Sequence, residues 1–383
     1  MTNKINNLIK TIFLMVSIIA ISTVNSCSLK SGKDKYITIG ALLPLTGDSS
    51  DEGFRASNGL QLAKEEINEN GGVLGKKLDF IILNDKGDEE YIVKQYNILK
   101  RKGVAAIIGS SYSDTTIALA KAAEKDGIPI ISPTASNPEV TKGRKNVFRA
   151  VFIDDYQAEV MAYFAYNLLK ARTALILSNK SYDSFRQTSD VFANFFKLHG
   201  GQIIATHSYP DGDSFKNILY RYMENPPDII FCPENYIPAA RLVNAVHDLG
   251  FRNTNILGTD AWDGILTYVF NSDAMKNAYY SAPFLFDDQD AEVAQFVRNY
   301  FTSFSQMPLS GAAAAYSCVY ILAEAMEKAG NTNKDDIISA IKANELETIM
   351  GNIKYDENNN PRTNAYVIQI KNGNYSTFKK IHL

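Results

Sequence analysis

Hydroxyl-bearing residues follow a short apolar run in the first third of the chain. Residues 104–108 have the composition of a buried strand, and Ser113 and Thr115 come after them, where a segment of helical spacing begins. The first N–H groups of a helix have no partner within it, and together with a hydroxyl group they suit a carboxylate. Ser113 is therefore a candidate anion-binding residue, although its position alone favours an ordinary helix N-cap.

Two tyrosines and one aspartate occupy comparable positions later in the chain. Tyr182, Tyr236 and Asp260 each come after a predicted strand. In a doubly wound sheet, ligands bind beyond the carboxyl ends of the strands, so residues at these positions are able to contact a ligand. Taken alone, the tyrosines are more simply explained as loop residues, and the aspartate equally well as a cap of the following segment.

Patterns typical of enzymes and metal sites are missing from the sequence. The histidines show no HxxxH spacing and no pairing with cysteines, so no metal site is predicted. Residues 72–76 (GVLGK) lack the full spacing of a phosphate-binding loop and follow a predicted helix instead of a strand. No GxSxG nucleophile elbow occurs. We therefore expect no catalytic residue and no cofactor, with a hydrolase of unrecognised type as the remote alternative.

The elements that position these residues alternate along the chain. Short apolar runs predict strands, and segments of helical period lie between them, as in a parallel sheet covered on both faces. The first α/β unit has predicted strands at residues 37–43, 78–83, 104–108 and 128–131. The second unit has predicted strands at residues 174–177, 202–206, 229–232 and 255–258, and a helix at residues 236–249. At the C-terminus, a β-ribbon is predicted from residues 352–356, a polar turn at 358–361, residues 365–370 and a second turn at 371–373.

Composition limits the classes of partner. The 383 residues are 45% hydrophobic, which suits two folded domains with their own cores. Because 39 Lys and Arg residues stand against 42 Asp and Glu residues, no basic excess points to nucleic acid or to an anionic membrane surface. Cys232 and Cys318 lie in apolar contexts and are predicted to be two buried free thiols.

The N-terminus predicts a targeting segment. Lys4 and Lys10 precede residues 11–24, an apolar run that has the length of a signal-peptide core and is too short to span a membrane comfortably. The serine followed by Cys27 resembles the lipobox of bacterial lipoproteins, in which the cysteine is acylated and becomes the mature N-terminus. We therefore predict a signal peptide at residues 1–26 and a lipidated tether at residues 27–35, with a plain cleaved peptide as the alternative.

Four stretches of the chain carry a family resemblance. They are residues 39–47 (IGALLPLTG), 58–72 (NGLQLAKEEINENGG), 107–110 (IIGS) and 131–139 (ISPTASNPE). In this order and spacing, the chain resembles the periplasmic leucine/isoleucine/valine-binding proteins, which have the type I solute-binding fold. The resemblance covers nearly the whole mature chain, and it implies an α/β fold of two doubly wound parallel-sheet lobes joined by a hinge.

The resemblance also implies ligand-binding roles in the first unit. The positions that match Tyr112, Ser113, Thr134 and Ser136 lie in the family's ligand cleft. In the family, the residues at Ser113 and Ser136 hold the ligand carboxylate. The backbone carbonyl group at Thr134 helps to bind the ligand ammonium group.

The second unit supplies the opposing contacts that the resemblance implies. Tyr182 and Tyr236 match positions whose aromatic rings close on the ligand. Asp260 matches the acidic residue that pairs with the ligand ammonium group. Both charges of an amino acid would then be answered within one cleft.

The chain departs from the family pattern in two respects. Glu52 stands where the family usually places an aromatic residue that contacts the ligand side chain, so a purely aliphatic specificity does not follow. Glu52 is nevertheless kept among the predicted ligand-binding residues. Gly87 and Tyr112 occupy positions that form a disulfide in some relatives, and that bridge is therefore absent here.

These features together predict a binding protein. One lobe is expected to comprise residues 36–152 and 286–361, and the other residues 153–285 and 362–383. Hinge closure would capture an amino acid, branched-chain or related, and deliver it to an ABC permease and ATPase complex. We expect a monomer that is lipid-anchored to a membrane and faces the periplasm or the cell exterior. A sensor on the same fold, feeding a receptor or regulator, is the alternative, and the sequence names neither the amino acid nor the transporter.

Overall fold

The structure, a computed structural model, describes residues 35–47, 50–210, 212, 214–269, 271–343, 345–361, 363, 365–371 and 373–381. Cys27 and the predicted signal peptide lie outside the described residues. Within them the strands are β1 Tyr36–Leu43, β2 Lys77–Asn84, β3 Ile107–Gly109, β4 Ile130–Ser132, β5 Val147–Arg149, β6 Thr173–Asn179, β7 Gln202–Tyr209, β8 Ile229–Phe231, β9 Asn255–Gly258, β10 Ala278–Ala282, β11 Glu345–Thr348, β12 Gly351–Lys354, β13 Ala365–Lys371 and β14 Asn374–Ile381. The α-helices are α1 Ser50–Glu69, α2 Glu89–Lys102, α3 Ser113–Ala123, α4 Asp154–Tyr163, α5 Asp183–Leu198, α6 Phe215–Leu219, α7 Tyr236–Asp248, α8 Ala291–Phe304, α9 Ser310–Ala329 and α10 Lys334–Ala343.

The first large sheet is parallel and has the order β2-β1-β3-β4-β5. Helices α1 and α9 bury apolar residues against one face of this sheet, and α2 and α3 do so against the other. Gly59 lets α1 approach α9 closely, because a Cβ atom at this position would clash with the carbonyl group of Ala312. The strand order reverses between β1 and β3, so the loops that follow these two strands diverge and open a crevice.

The second large sheet repeats this order and extends it. Its order is β14-β13-β10-β9-β8-β6-β7, in which β6 to β10 are parallel. Strand β13 pairs antiparallel with β10, and β14 pairs antiparallel with β13. The order of the parallel strands reverses between β6 and β8, which places a second crevice at their carboxyl ends. The predicted α/β class is confirmed by both sheets.

The predicted C-terminal ribbon is right at the turn between β13 and β14, where Lys371 pairs with Asn374, and wrong in pairing residues 352–356 with residues 365–370. Strand β12 pairs with β11 in a separate two-stranded sheet, and β13 pairs with β10 and β14 instead. The β11–β12 hairpin forms locally because Leu346 and Ile353 lie opposite each other and are both buried in the first core. The polar turn before β13 is present, closed by a bridge between Tyr355 and Pro361.

Each large sheet has its own apolar cores, one on either face. The predicted lobes, residues 36–152 with 286–361 and residues 153–285 with 362–383, remain a prediction. Strands β1 to β5 fall within the residue ranges predicted for the first lobe. Strands β6 to β10, β13 and β14 fall within those predicted for the second. Cys232 and Cys318 are buried and free, as expected.

Candidate functional site

The loops that follow the strands of both sheets meet at one cleft. The cleft has a volume of about 360 Å³, and its walls come from the loops after β1, β3 and β4 of the first sheet and after β6, β8 and β9 of the second. The residues predicted from the sequence to contact a ligand all line it: Glu52, Tyr112, Ser113, Thr134, Ser136, Tyr182, Tyr236 and Asp260. The structure therefore brings all eight together, although they are spread over more than half of the chain.

The wall from the first sheet carries hydroxyl groups. Ser113 is the first residue of α3, and Tyr112 occupies the N-cap position with extended backbone, so Ser113 is not itself the N-cap. The Ser113 Oγ instead accepts a hydrogen bond from the N–H of Asn137 at 3.2 Å, which ties the loop after β3 to the loop after β4. The Ser136 carbonyl group accepts the N–H of Asp154 at 2.9 Å. Hydroxyl groups and the N-terminus of α3 thus face the cleft, an arrangement that suits an anion.

Glu52 lies on the same side of the cleft, in the first turn of α1. Tyr112 donates its hydroxyl proton to Oε2 of Glu52 at 2.8 Å, and the Oγ1 of Thr134 lies 3.1 Å from Oε1. Burial raises the pKa of Glu52, and the two hydrogen bonds oppose this shift. The carboxyl group is therefore held in place between two other residues that line the cleft.

Asp260 belongs to the opposite wall and is held by Gln157. The Gln157 Nε2 donates to Asp260 Oδ1 at 3.0 Å and to Asp154 Oδ1 at 2.7 Å, so one amide bridges two carboxyl groups. The Asp260 N–H donates in return to Gln157 Oε1 at 3.1 Å. Burial, followed by the nearby Asp154 carboxylate, raises the pKa of Asp260 to about 8. The charged groups that act on Asp260 within the described residues are the carboxyl groups of Asp154, Asp263 and Glu52, so this wall suits a bound cation.

The tyrosines predicted to close on a ligand stand at the carboxyl ends of β6 and β8. Tyr182 precedes α5 and packs on Phe185 with ring centroids 5.3 Å apart. Tyr236 opens α7 and packs on Tyr268 at 5.5 Å. Both tyrosines line the cleft, and 36% of the Tyr182 surface is exposed, which leaves its ring accessible to a bound molecule.

Other charged residues of the cleft were not predicted. Asp154, Asp263 and Arg55 also line it. Asp263 accepts the N–H of Ser310 at 2.8 Å, and Arg55 pairs with Asp51 at 2.5 Å. Burial raises the pKa of both Asp154 and Asp263. The one sequence signal for this group is the i,i+4 spacing of Asp51 and Arg55, which is equally typical of any exposed helix.

A buried arginine supports the hydroxyl-bearing loop from below. Arg149, in β5, is fully buried and donates to the carbonyl groups of Ala135 at 2.8 Å and Asn137 at 2.7 Å. It also donates to Thr141 Oγ1 at 3.2 Å. These bonds fix the backbone on both sides of Ser136, so Arg149 positions the loop without lining the cleft.

A match to a protein-family model shows the family to which the chain belongs. A family model described as periplasmic binding protein matches residues 36–374. This chain is a member of the periplasmic binding protein family. The family works outside the cytoplasm in solute binding.

Individual relatives match most of the length of this periplasmic binding protein. The Leu/Ile/Val-binding protein BraC3 of Rhizobium johnstonii is 28% identical, over 84% of this chain and 88% of the relative. The leucine-, isoleucine-, valine-, threonine- and alanine-binding protein of Pseudomonas aeruginosa is 26% identical, over 82% of this chain and 84% of the relative.

Solved structures of the same family share the arrangement of both sheets. The leucine-binding protein LivK of Thermotoga maritima superposes with a TM-score of 0.82 at 28% identity, covering 90% of this chain and 99% of that one. LivJ of Streptococcus pneumoniae, a branched-chain amino-acid transporter substrate-binding protein in complex with isoleucine, gives 0.84 at 25% identity, covering 91% and 99%.

Two kinds of feature are absent from the described part of the chain. Within residues 35–381, apart from the gaps given above, no helix combines the length and hydropathy needed to cross a membrane. In the same part of the chain, no group of three or more His, Cys, Asp or Glu side chains is arranged to hold a metal ion.

Proposed function

We propose that this periplasmic binding protein is a lipid-anchored lipoprotein that captures an α-amino acid between two lobes and delivers it to an ABC transporter. The observation that carries the proposal is the distribution of charge-binding groups across the cleft. Ser113 and Ser136 on the first wall suit a carboxylate, and Asp260 on the opposite wall suits an ammonium group. The names of the relatives, which bind leucine, isoleucine and valine, support this choice of ligand class.

Closure of the lobes is the expected response to ligand. A molecule that touches both walls binds the closed state better than the open one, and it therefore shifts the population toward closure. We expect small-angle X-ray scattering to show a smaller radius of gyration when the amino acid saturates the protein. A profile that stays the same at saturation, shown independently by calorimetry, would contradict capture by closure.

Binding should also release a proton at neutral pH. Because Asp260 has a pKa of about 8, it is largely protonated at pH 7, and a ligand ammonium group favours its ionised form. The affinity for leucine should therefore fall as the pH is lowered below about 8, by at most about tenfold for each pH unit. The carboxyl groups of Asp154, Asp263 and Glu52 each raise the pKa of Asp260 further.

Calorimetry in two buffers of different ionisation enthalpy measures this proton directly. The observed binding enthalpy should differ between phosphate and Tris at the same pH. The difference should shrink in Asp260→Asn wherever residual binding is measurable. Equal enthalpies in both buffers for the native protein, together with an affinity that does not change with pH, would refute the linkage.

The lipid anchor rests on Cys27 and the apolar segment before it. On this proposal the acyl chains on Cys27 hold the mature chain at the membrane, so Cys27→Ala should move the protein from the membrane fraction to the soluble fraction. Cell fractionation followed by mass spectrometry of the N-terminal peptide tests this. Native protein that is soluble and carries no lipid at Cys27 would exclude the anchor and leave the binding function untouched.

A further inference from the structure

The cleft has more acidic groups than one amino-acid ammonium group can balance. Among the described residues that line it, six carry carboxyl groups: Asp51, Glu52, Asp114, Asp154, Asp260 and Asp263. Two lining residues carry cationic groups, Arg55 and Lys86, and the first of these already pairs with Asp51. A zwitterion with an aliphatic side chain adds no net charge, so it leaves this excess as it is.

Glu52 is the carboxyl group with an incomplete set of donors. The Thr134 hydroxyl has a single proton, and its contact with the carbonyl group of Ser111 is shorter, at 2.8 Å, than its contact with Glu52 Oε1, at 3.1 Å. When that proton goes to the carbonyl group, Tyr112 is the remaining side-chain donor to an ionised Glu52. One oxygen of Glu52 is then available to a donor that enters the cleft.

A buried hydroxyl group in the same wall has no hydrogen-bond partner among the described residues. Ser111 lines the cleft, the residue is 3% exposed, and its Oγ has no hydrogen-bond partner within the described residues. Buried hydroxyl groups are nearly always hydrogen-bonded in folded proteins, so this one favours a polar group supplied by the bound molecule. Because Ser111 is next to Tyr112 and its carbonyl group bonds Thr134, the unpaired hydroxyl lies in the same wall as Glu52.

We propose that the side chain of the bound amino acid carries an ammonium or guanidinium group and that Glu52 receives it. This inference rests on the proposed capture of an α-amino acid, since Asp260 and the serines are then already engaged by the α-ammonium and α-carboxylate groups. An aliphatic side chain would desolvate Glu52 further without pairing it, which is unfavourable. A side-chain cation pairs with Glu52, and it reduces the acidic excess of the whole cleft. Burial raises the pKa of Glu52, and its hydrogen-bond partners among the described residues, Tyr112 and Thr134, are both neutral.

Matched ligand pairs test the charge alone. Norleucine has the carbon chain of lysine without its ammonium group, and citrulline has the shape of arginine without its charge. Using protein freed of endogenous ligand, calorimetry should show lysine binding at least about tenfold more tightly than norleucine, and arginine more tightly than citrulline. In Glu52→Gln, the preference for lysine over norleucine should fall below about threefold.

The control variant is Glu69→Gln, which removes a carboxylate from the exposed end of the same helix and should leave the preference unchanged. Circular dichroism establishes that each variant is folded. If norleucine or leucine binds native protein as tightly as lysine, or citrulline as tightly as arginine, the side-chain charge is refuted while the proposed function stands. A preference for lysine that survives in Glu52→Gln refutes the role of Glu52. If no α-amino acid binds at all, the proposed function itself fails.

Discussion

Asp260→Asn should weaken the binding of an α-amino acid by about 30-fold to several thousand-fold, the range that corresponds to roughly 2 to 5 kcal/mol for truncating a buried charged pair. The substitution keeps the size of the side chain and an oxygen for the bond from Gln157, so the wall of the cleft should keep its shape. The substitution removes the negative charge that pairs with the ligand ammonium group. Calorimetric titration of both proteins with leucine and lysine measures the effect.

Asp190→Asn is the matched control, because Asp190 is an exposed residue of helix α5. It should bind as the native protein does. If Asp260→Asn binds the native ligand with unchanged affinity, the ligand has no ammonium group at this position, and its assignment as an amino acid is then wrong.

Arg149→Met should lower the free energy of unfolding by about 2 to 5 kcal/mol and weaken ligand binding as well. Without the guanidinium group, the carbonyl groups of Ala135 and Asn137 remain buried and lose their donor. The loop that carries Thr134 and Ser136 is then no longer fixed from below. Urea unfolding gives the stability, and titration of the folded variant gives the affinity.

Two further variants separate charge from geometry at this position. Arg149→Lys keeps the charge but cannot reach both carbonyl groups with a planar fork, so it should recover only part of the stability. Arg298→Met removes an exposed arginine of α8 and should change neither quantity by more than about 0.5 kcal/mol. Arg149→Met with native stability and native affinity would show that the loop holds its own conformation.

Positions at strand ends were predictable from the sequence, whereas their electrostatic partners were not. Tyr182, Tyr236 and Asp260 follow apolar runs, and the rule that parallel strands end at one edge brings them together. Asp154 was missed because an acidic residue at the start of a helix is the ordinary pattern for an N-terminus. Gln157 was missed because its burial comes from packing against β10, where Ser281 donates to its Oε1 at 2.9 Å.

Short length or mixed composition explains which strands escaped prediction. Strand β5 has three residues, and β10 mixes small and aromatic side chains without a long apolar run. Strand β14 is half polar because it forms the edge of its sheet. Strands β11 and β12 pair across the short segment between them. The pattern of apolar residues did not distinguish this local pairing from a pairing of β12 with β13.

The late position of β13 and β14 in the sequence sets an order of events during biosynthesis. Until residues 365–371 are available, β10 has one unpaired edge, and unpaired edges invite association with other chains. The first sheet uses strands that are all made before residue 150, whereas the second needs residues some 100 positions beyond β10. Pairing along this edge of β10 is therefore completed only after residues 365–371 have been synthesised, more than 80 positions after β10 itself.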